Sequence, residues 1–344
     1  MSRFLSKASE SLLPYTPGEQ PQGRKFIKLN TNECPYPPSP KVAEAILAGY
    51  EEIAAGCGTA GAAGRAEKAD CGCDAGATEA GKMAEKVAQI MPPELANLRL
   101  YSDPEERVLI EAIAAHYRVG TNQVIAGNGS DEILGFAFRA FCDSEAPLQF
   151  ADLTYGFYPA LCGLYGIPFR VVPLEEDFTL NIEPYKNCGN NVIIANPNAP
   201  TGMNLPLSAI EEVAASNPDR VVMVDEAYVD FGGESCVSLL PKYENLVIIQ
   251  TFSKSRSLAG ARVGFAIANP ELIADMNRIK YSFNPYNVNR LSILAGAAAM
   301  RDWDYTKECT GRICKTREKT TEALRALGFT VLDSKTNFIF AKSG

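Results

Sequence analysis

Short apolar runs of strand length alternate with longer stretches of helical periodicity over most of the chain after residue 98. A strand buried on both faces reads as a continuous apolar run, whereas an amphipathic helix repeats its apolar residues every three or four positions. The predicted strands are Gln123–Ala126, Leu148–Phe150, Phe169–Val172, Val192–Ala195, Val221–Val224, Leu246–Ile249 and Val263–Ala268. This alternation predicts an α/β domain in three layers, with a mainly parallel sheet covered by helices on both faces.

Helical spacing is clear in several segments around and after these strands. The predicted helices are Pro104–Tyr117, Ile133–Phe141, Glu271–Lys280, Asn289–Met300 and Tyr305–Leu327. Thr330–Phe340 then begins a new β unit that includes a strand at Asn337–Phe340. We therefore expect a large domain over residues 41–280 and the start of a smaller α+β domain over residues 281–344.

The first hundred residues have a different character. Prolines are dense in residues 1–40, which predicts an extended arm, and a helix is expected from Ser39 with Pro40 at its first position. Residues 49–93 contain a Gly- and Ala-rich stretch with too few large apolar side chains to offset the entropy of ordering, which predicts a mobile insertion. Three thiols within it, Cys57, Cys71 and Cys73, lack the spacing and the histidine of a zinc site, so no metal is expected.

Composition narrows the class of protein. A length of 344 residues suggests two domains, and a formal charge of −8 disfavours nucleic acid and anionic lipid as partners. The first residues lack the apolar segment of a signal peptide and no run is long enough to span a membrane, so a cytoplasmic location is expected. The ten cysteines are expected to be free thiols, and the single histidine, His116, argues against Ser-His-Asp or Cys-His catalysis.

The loop at residues 251–262 holds the most informative side chains. Lys254 lies just past a predicted strand end, where ligands bind in open α/β sheets, and Thr251, Ser253 and Arg262 share its loop. An amine can form a Schiff base with an aldehyde, while hydroxyls and a guanidinium bind phosphate oxygens. The loop therefore favours a phosphorylated aldehyde as ligand, although a solvated turn that happens to contain a lysine remains open on this stretch alone.

Other strand ends carry groups that would complete such a site. Residues 127–131 place backbone amides and the Ser130 hydroxyl at a helix start, which suits a phosphate but also begins many ordinary helices. Asp225 ends an apolar strand, so its carboxylate needs a cationic partner such as a pyridinium nitrogen, or it caps the next segment. Tyr228 follows three residues later, and Tyr155 offers a ring that can stack on a heteroaromatic ligand.

Six motifs occur together and in order: Lys-Leu-Asn-Thr-Asn-Glu at 28–33, Leu-Tyr-Ser-Asp-Pro at 100–104, Gly-Asn-Gly-Ser-Asp-Glu at 127–132, Asn-Pro-Asn-Ala-Pro-Thr-Gly at 196–202, Val-Asp-Glu-Ala-Tyr at 224–228 and Ser-Lys-Ser-Arg-Ser-Leu-Ala-Gly-Ala-Arg at 253–262. The set resembles histidinol-phosphate aminotransferases, which are pyridoxal 5'-phosphate enzymes of the aspartate-aminotransferase fold (fold type I). The resemblance covers about residues 12–48 and 98–344.

The resemblance implies roles for individual residues. Lys254 would be the catalytic lysine that carries the cofactor and moves the proton, Asp225 would hold the ring nitrogen protonated, and Tyr228 would contact the ring oxygen. The remaining cofactor contacts that it implies are Gly129, Ser130, Asp131, Tyr155, Asn198, Thr251, Ser253, Arg262 and Tyr101. Substrate contacts are assigned to Tyr15 and Asn32.

The resemblance also implies substrates and a partner. The amino group would pass between L-histidinol phosphate and 2-oxoglutarate, and Tyr101 would reach the phosphate of a neighbouring subunit in a homodimer with shared active sites. Three departures bear on this expectation. Ala199 stands where the family usually has an asparagine, with Asn198 one residue earlier; Cys34 stands where an asparagine is frequent; and the chain stops at Gly344, where relatives continue with a substrate-binding arginine.

Other functions remain open on the sequence. An aromatic or broad-range aminotransferase, or a phospho-amino-acid decarboxylase, would use the same scaffold and the same cofactor chemistry. A catalytically impaired, truncated homologue is the alternative that the insertion at residues 49–93 and the end at Gly344 leave open.

Overall fold

The computed structural model describes residues 32, 36, 38–42, 44–46 and 101–343. Most of the predicted N-terminal arm and the whole of the predicted insertion at residues 49–93 lie outside this range. The helix expected at Pro40 is confirmed, with residues 40–42 and 44–46 helical and the Ser39 hydroxyl accepting a hydrogen bond from the backbone of Lys41. Among the described residues, no helix combines the length and the apolar character that a membrane span requires.

A seven-stranded sheet forms the centre of the molecule. Its strands are β1 Val124–Gly127, β2 Leu148–Ala151, β3 Phe169–Val172, β4 Asn191–Ala195, β5 Val222–Asp225, β6 Leu246–Thr251 and β7 Gly264–Ala268. The spatial order is β1-β7-β6-β5-β4-β2-β3, and only β7 runs antiparallel to its neighbours. The predicted mainly parallel sheet is therefore confirmed.

Both faces of the central strands are buried, as the continuous apolar runs predicted, whereas residues 169–171 of the edge strand β3 are exposed. Along β6, Leu246 and Ile248 pack into one hydrophobic cluster, whereas Val247 and Ile249 pack into the other. Alternate residues of a strand point to opposite faces, so β6 contributes to two cores. Burying one such side chain contributes about 1.5–3 kcal/mol to the free energy of unfolding. Strands that are apolar on both faces gain most of this energy at the centre of the sheet, because helices cover both of their faces there.

Helices cover the sheet on both sides and complete three layers. The helices are α1 Arg107–Tyr117, α2 Ser130–Phe141, α3 Phe157–Tyr165, α4 Leu207–Ser216, α5 Pro270–Phe283, α6 Arg290–Arg301 and α7 Trp303–Ala326. Apolar residues of α1, α4 and α6 belong to one cluster, and those of α2, α3 and α5 belong to the other. The first predicted helix begins at Arg107 rather than at Pro104, because the residue before it, Glu106, has a left-handed backbone with φ 43° that a helix cannot include. The Asp103 carboxylate accepts from the backbone N–H of Arg107.

The C-terminal segment differs from the prediction. The strand expected at Asn337–Phe340 is wrong, since residues 335–338 form a bend and residues 339–340 are irregular. The small second sheet pairs β8 Thr330–Val331 with β9 Ala341–Lys342. The Thr336 and Ser334 hydroxyls donate to the carbonyl of Phe338 and hold the bend. The Phe338 ring then packs edge-on against the Tyr228 ring, with 5.2 Å between the two ring centroids. The C-terminal segment therefore packs beside the end of β5.

Candidate active site

The loops that carry the predicted residues meet at one edge of the sheet. Asp225 ends β5 in register with Ala195 at the end of β4. Gly264, the first residue of β7, pairs with Gly127 at the end of β1 on one side and with Thr251 at the end of β6 on the other. Because the ends of parallel strands share an edge, the loops after β1, β4, β5 and β6 converge there.

Two glycines allow the start of α2 to approach this edge closely. Gly129 has φ 91°, and an ideal Cβ there would lie 2.4 Å from Nη2 of Arg262. An ideal Cβ on Gly264 would lie 2.3 Å from the backbone nitrogen of Ser130. The amides of a first helical turn have no partner within the helix and point along its axis, so this close-packed corner presents donors suited to an anion. The Gly129 N–H itself donates to the carbonyl of Gly127 at 2.9 Å.

Cationic and hydroxyl groups surround that corner. The guanidinium of Arg262 donates from Nη1 to the Ser253 hydroxyl at 3.4 Å and from Nη2 to the Asp131 carboxylate at 3.4 Å. The buried Thr251 hydroxyl accepts from the backbone N–H of Ser253 at 3.1 Å, which shapes the loop leading to Lys254. The predicted phosphate ligands are thus brought together around one guanidinium.

Asp225 is a buried carboxylate with two protein donors. Its Oδ2 accepts from the Tyr158 hydroxyl at 2.8 Å, and its Oδ1 accepts from the backbone N–H of Ala227 at 3.2 Å. Burial raises the pKa of Asp225 to about 6, while the hydrogen bonds from Tyr158 and Ala227 and the nearby Lys254 charge lower it. A buried carboxylate in this state favours an additional cationic partner.

Lys254 and Tyr228 lie on the same side of the site. The Lys254 Nζ is 5.6 Å from the centre of the Tyr228 ring, and the Tyr228 hydroxyl accepts from Nδ2 of Asn32 at 3.1 Å. The backbone carbonyl of Asn32 in turn accepts from Asn337 at 2.9 Å. Asn32, predicted as a substrate contact, is therefore held next to Tyr228 by the C-terminal segment, whereas Tyr15 lies outside the described residues.

The Tyr155 hydroxyl contacts Asp131, beside the corner formed by Gly129, Ser130 and Arg262. It donates to Oδ1 of Asp131 at 2.9 Å, and its ring meets the Tyr158 ring edge-on at 5.7 Å between centroids. Asp131 thus accepts from Tyr155 on one oxygen and from Arg262 on the other. This contact makes Asp131 the link between the ring predicted to stack and the predicted phosphate ligands.

The side-chain amide of Asn198 is engaged by its own surroundings. Its Nδ2 donates to the carbonyl of Leu153 at 2.9 Å and to the Thr201 hydroxyl at 3.1 Å, and its Oδ1 accepts from Thr154 at 2.8 Å. These contacts tie the turn after β4 to the loop after β2. The geometry assigns Asn198 the task of holding that turn, and its contact with a cofactor stays a prediction.

Tyr101 projects from the surface of the protomer. Its side chain is 78% exposed, its ring stacks on Tyr286 at 4.5 Å, and its carbonyl accepts from Arg290 at 2.9 Å. Such a large exposed ring next to a second exposed ring is uncommon on a surface that faces only water. The position is compatible with the predicted contact to a neighbouring subunit.

Two residues that support the site were missed by the sequence analysis. Arg256, two residues after Lys254, is buried and donates to the carbonyl of Thr251 at 3.1 Å, while pairing with Asp230 at 3.2 Å. In the sequence, this arginine is indistinguishable from a solvated loop cation. Tyr158, the donor to Asp225, lies three residues after Tyr155, and that helical spacing was a usable signal.

The comparisons with known proteins identify the family of the chain. The family model for aminotransferase class I and II matches residues 78–344. Histidinol-phosphate aminotransferases of Brachyspira hyodysenteriae and of Pseudomonas putida are 44% and 45% identical to the chain, each over 99% of it, which corresponds to 84% and 86% of those proteins.

Solved structures show the same fold. The histidinol-phosphate aminotransferase of Sinorhizobium meliloti, solved with pyridoxal-5'-phosphate, superposes with a TM-score of 0.71 at 24% identity over 91% of this chain and 75% of that one. A mutant aspartate aminotransferase of Thermus thermophilus superposes with a TM-score of 0.73 at 18% identity over 99% of this chain and 84% of that one. The chain belongs to the class I and II aminotransferases and, within them, to the histidinol-phosphate aminotransferase family.

Proposed function

We propose that the chain is a pyridoxal 5'-phosphate-dependent transaminase that exchanges an amino group between L-histidinol phosphate and 2-oxoglutarate, in histidine biosynthesis. The observation that carries the proposal is the meeting, at one sheet edge, of Lys254, the buried carboxylate of Asp225 and the corner formed by Gly129, Ser130 and Arg262. Relatives of that name, 44% identical over 99% of the chain, support the choice of substrate.

The residues present fit the cofactor at both of its charged ends. A phosphate needs several donors at short range, and the corner beside Arg262 is one that a single added Cβ would fill. A pyridinium nitrogen needs a buried anion, and Asp225 keeps two oxygens with only one protein donor described on each. A carboxylate oxygen accepts more than one hydrogen bond, so a cationic N–H can be accommodated.

The bound cofactor supplies an electron sink for the carbanion that forms when the substrate loses its α-proton. Lys254 would hold the aldehyde carbon of the cofactor until substrate displaces it, and its freed Nζ would then carry the proton from the substrate carbon that bears the amino group to that cofactor carbon. Asp225 would keep the ring nitrogen protonated, and the Tyr228 hydroxyl would donate to the ring oxygen. The contacts of Asp225 and Tyr228 would strengthen as charge develops on the ring during the reaction. They would therefore lower the activation barrier more than they strengthen binding of the cofactor.

The phosphate of the cofactor is assigned to Arg262, Ser253, Thr251 and the amides of Gly129 and Ser130, and Tyr155 to the face of the ring. Asn32, held beside Tyr228, and Tyr15 are assigned to the substrate, with Asn198 positioning the turn at the rim of the site. 2-Oxoglutarate would accept the amino group and leave as glutamate, which returns the cofactor to its aldehyde form. We place the large domain at residues 41–280 and the small domain at residues 281–344, with the enzyme in the cytoplasm.

The active form is a homodimer with shared sites. Tyr101 lies among further exposed aromatic side chains, Tyr281, Phe283 and Tyr286, whose combined apolar surface favours burial against another protein. A second copy of the chain is the occupant that we propose, and Tyr101 then contacts the phosphate bound by its neighbour.

Assays on three compounds test the proposed substrate and reaction. The protein reconstituted with pyridoxal 5'-phosphate should transaminate histidinol phosphate with a kcat/KM at least 100-fold above that for phenylalanine, and should release no carbon dioxide from O-phosphothreonine. Equal rates on phenylalanine would favour a broad-range aminotransferase, and carbon dioxide release would favour a decarboxylase. Lys254→Ala should abolish both turnover and the covalent link that borohydride traps, whereas a trapped link at another lysine would refute the assignment.

A further inference from the structure

Tyr158 is a fully buried phenol whose hydroxyl points at the carboxylate of Asp225. It lies in the second position of α3 with none of its surface exposed. Its ring is surrounded by Phe138, Phe150 and Tyr155, with centroid separations of 6.2, 5.8 and 5.7 Å. This aromatic cage fixes the ring, so the hydroxyl has one direction available and meets Oδ2 of Asp225 at 2.8 Å.

The direction of this hydrogen bond follows from the chemistry of its two partners. An ionised carboxylate only accepts, so Tyr158 donates. Burial and the adjacent Asp225 charge raise the pKa of Tyr158 well above its usual value, which keeps the proton on the phenol at neutral pH. With Ala227 N–H on Oδ1, the carboxylate has one fixed donor on each oxygen, and its rotation about χ2 is restricted.

We propose that Tyr158 is a positioning residue for the transamination, because its phenol orients the Asp225 carboxylate and stabilises its negative charge for the ring nitrogen of the cofactor. The inference rests on the proposed function, since it requires Asp225 to contact that nitrogen. Tyr158 touches neither the substrate nor the cofactor in this assignment and acts only through Asp225.

The same segment of chain organises both ends of the site. Tyr155, three residues earlier, donates to Asp131, which accepts from Arg262 in the anion-binding corner. The two tyrosine rings meet edge-on, with 5.7 Å between their centroids. Tyr155 and Tyr158 therefore each donate to one of the two carboxylates from neighbouring positions at the start of α3.

The charge state of Asp225 shows what the phenol contributes. Burial and the neighbouring Asp131 charge oppose ionisation, whereas Tyr158, the Ala227 N–H and the Lys254 ammonium favour it. Without the Tyr158 hydroxyl, one of the interactions that stabilise the ionised carboxylate is lost while the effect of burial stays, so the pKa of Asp225 rises further above about 6. Near neutral pH, a larger fraction of the carboxyl is then neutral and unable to hold a cationic nitrogen.

The first measurement uses the cofactor-free protein. Carboxyl-carbon NMR of protein labelled with 13C-aspartate, with Asp225→Asn to assign the signal, gives the pKa of Asp225 directly. Tyr158→Phe should raise it by roughly one unit, the size expected from losing one hydrogen bond to a charged group. The control is Tyr165→Phe, a tyrosine of the same helix that should leave the pKa unchanged.

The second measurement uses the reconstituted enzyme. Tyr158→Phe should lower kcat at pH 7 by roughly tenfold with little change in the KM for histidinol phosphate, and should shift the acid limb of the pH profile upward by the same amount as the pKa. Replacing Tyr158 with 3-fluorotyrosine, a stronger donor of the same shape, should restore kcat and lower the pKa of Asp225. If Tyr158→Phe does not fold, the 3-fluorotyrosine protein by itself tests whether the Tyr158 hydroxyl controls the pKa of Asp225.

The outcomes separate this inference from the proposed function. If Asp225→Asn retains wild-type turnover, Asp225 does not serve the ring nitrogen and the proposed function loses its central contact. If Asp225→Asn is inactive but the pKa of Asp225 is insensitive both to Tyr158→Phe and to 3-fluorotyrosine, only the role of Tyr158 is refuted. A fall in kcat without any pKa shift would likewise overturn it, since packing alone would then explain the loss.

Discussion

Replacing Gly264 with alanine tests how closely β7 must approach the start of α2. An ideal Cβ there would lie 2.3 Å from the Ser130 nitrogen and 2.4 Å from the carbonyl carbon of Gly129, both of them backbone atoms. A normal van der Waals contact between such atoms is about 3.5 Å, so the two segments must separate by roughly 1 Å. Backbone cannot rotate aside as a flexible side chain does, so the added methyl displaces the donors themselves.

Two costs follow from this displacement. Overpacking of a well-packed region costs about 1–3 kcal/mol of unfolding free energy. Loss of one charge-assisted hydrogen bond to phosphate costs about 1.5–3 kcal/mol of binding, which weakens the cofactor affinity by roughly one to two decades. The second cost is specific to the site and does not follow from general instability.

Urea unfolding measures the first cost, and titration of the cofactor-free protein with pyridoxal 5'-phosphate measures the second. The matched control is Gly260→Ala, an exposed position in the same loop region where an ideal Cβ meets nothing within 4 Å. We expect the control to bind the cofactor like the wild type. A Gly264→Ala protein with a lowered urea midpoint but wild-type affinity would show that the corner formed by Gly129, Ser130 and Arg262 does not bind phosphate. Wild-type values of both quantities would refute the close approach of β7 to the start of α2.

Three further predictions concern assembly and buried charge. Mixing Tyr101→Phe with Lys254→Ala, each weak or inactive alone, should restore activity through heterodimers with one intact site, whereas no gain after subunit exchange would argue against shared sites. Glu106 and Lys280 form a buried ion pair, with Nζ of Lys280 2.6 and 2.7 Å from the two carboxylate oxygens. Burial raises the pKa of Glu106 from 4.5 to about 7, so the folded chain binds the carboxyl proton more tightly than the unfolded chain. The stability that this proton contributes is therefore lost as pH rises from about 4.5 to 7. Lys280→Met should therefore cost about 3–5 kcal/mol at pH 8 and clearly less at pH 5.5, in urea unfolding at both pH values, and an equal cost at both would contradict a charged Glu106. Arg256→Lys should lower stability by about 1–3 kcal/mol, because an ammonium cannot contact Asp230, Tyr117 and the Thr251 carbonyl at once; unchanged melting would refute that role.

Local sequence was enough to predict the scaffold. Each central strand is a run of branched apolar residues, such as Leu246–Ile249, and such runs are stable only when both faces are covered. The convergence of Lys254, Asp225 and the Gly127–Asp131 turn also followed, because parallel strands place all their carboxyl ends at one edge. Boundaries were less predictable, because the left-handed backbone at Glu106 and the hydrogen bonds that hold the bend at residues 335–338 are not recorded in the apolar pattern.

Side-chain partnerships were decided by the tertiary structure alone. Whether Asn198 holds a turn or meets a ligand depends on Leu153 and Thr154, some 45 residues away in the chain. Arg256 becomes a buried structural cation only because Asp230 and Tyr117 come to face it from two other segments. Sequence patterns report how one element divides its residues between core and solvent. They do not report which polar group of another element lies within hydrogen-bond distance, and the charge state of Asp225 depends on that distance.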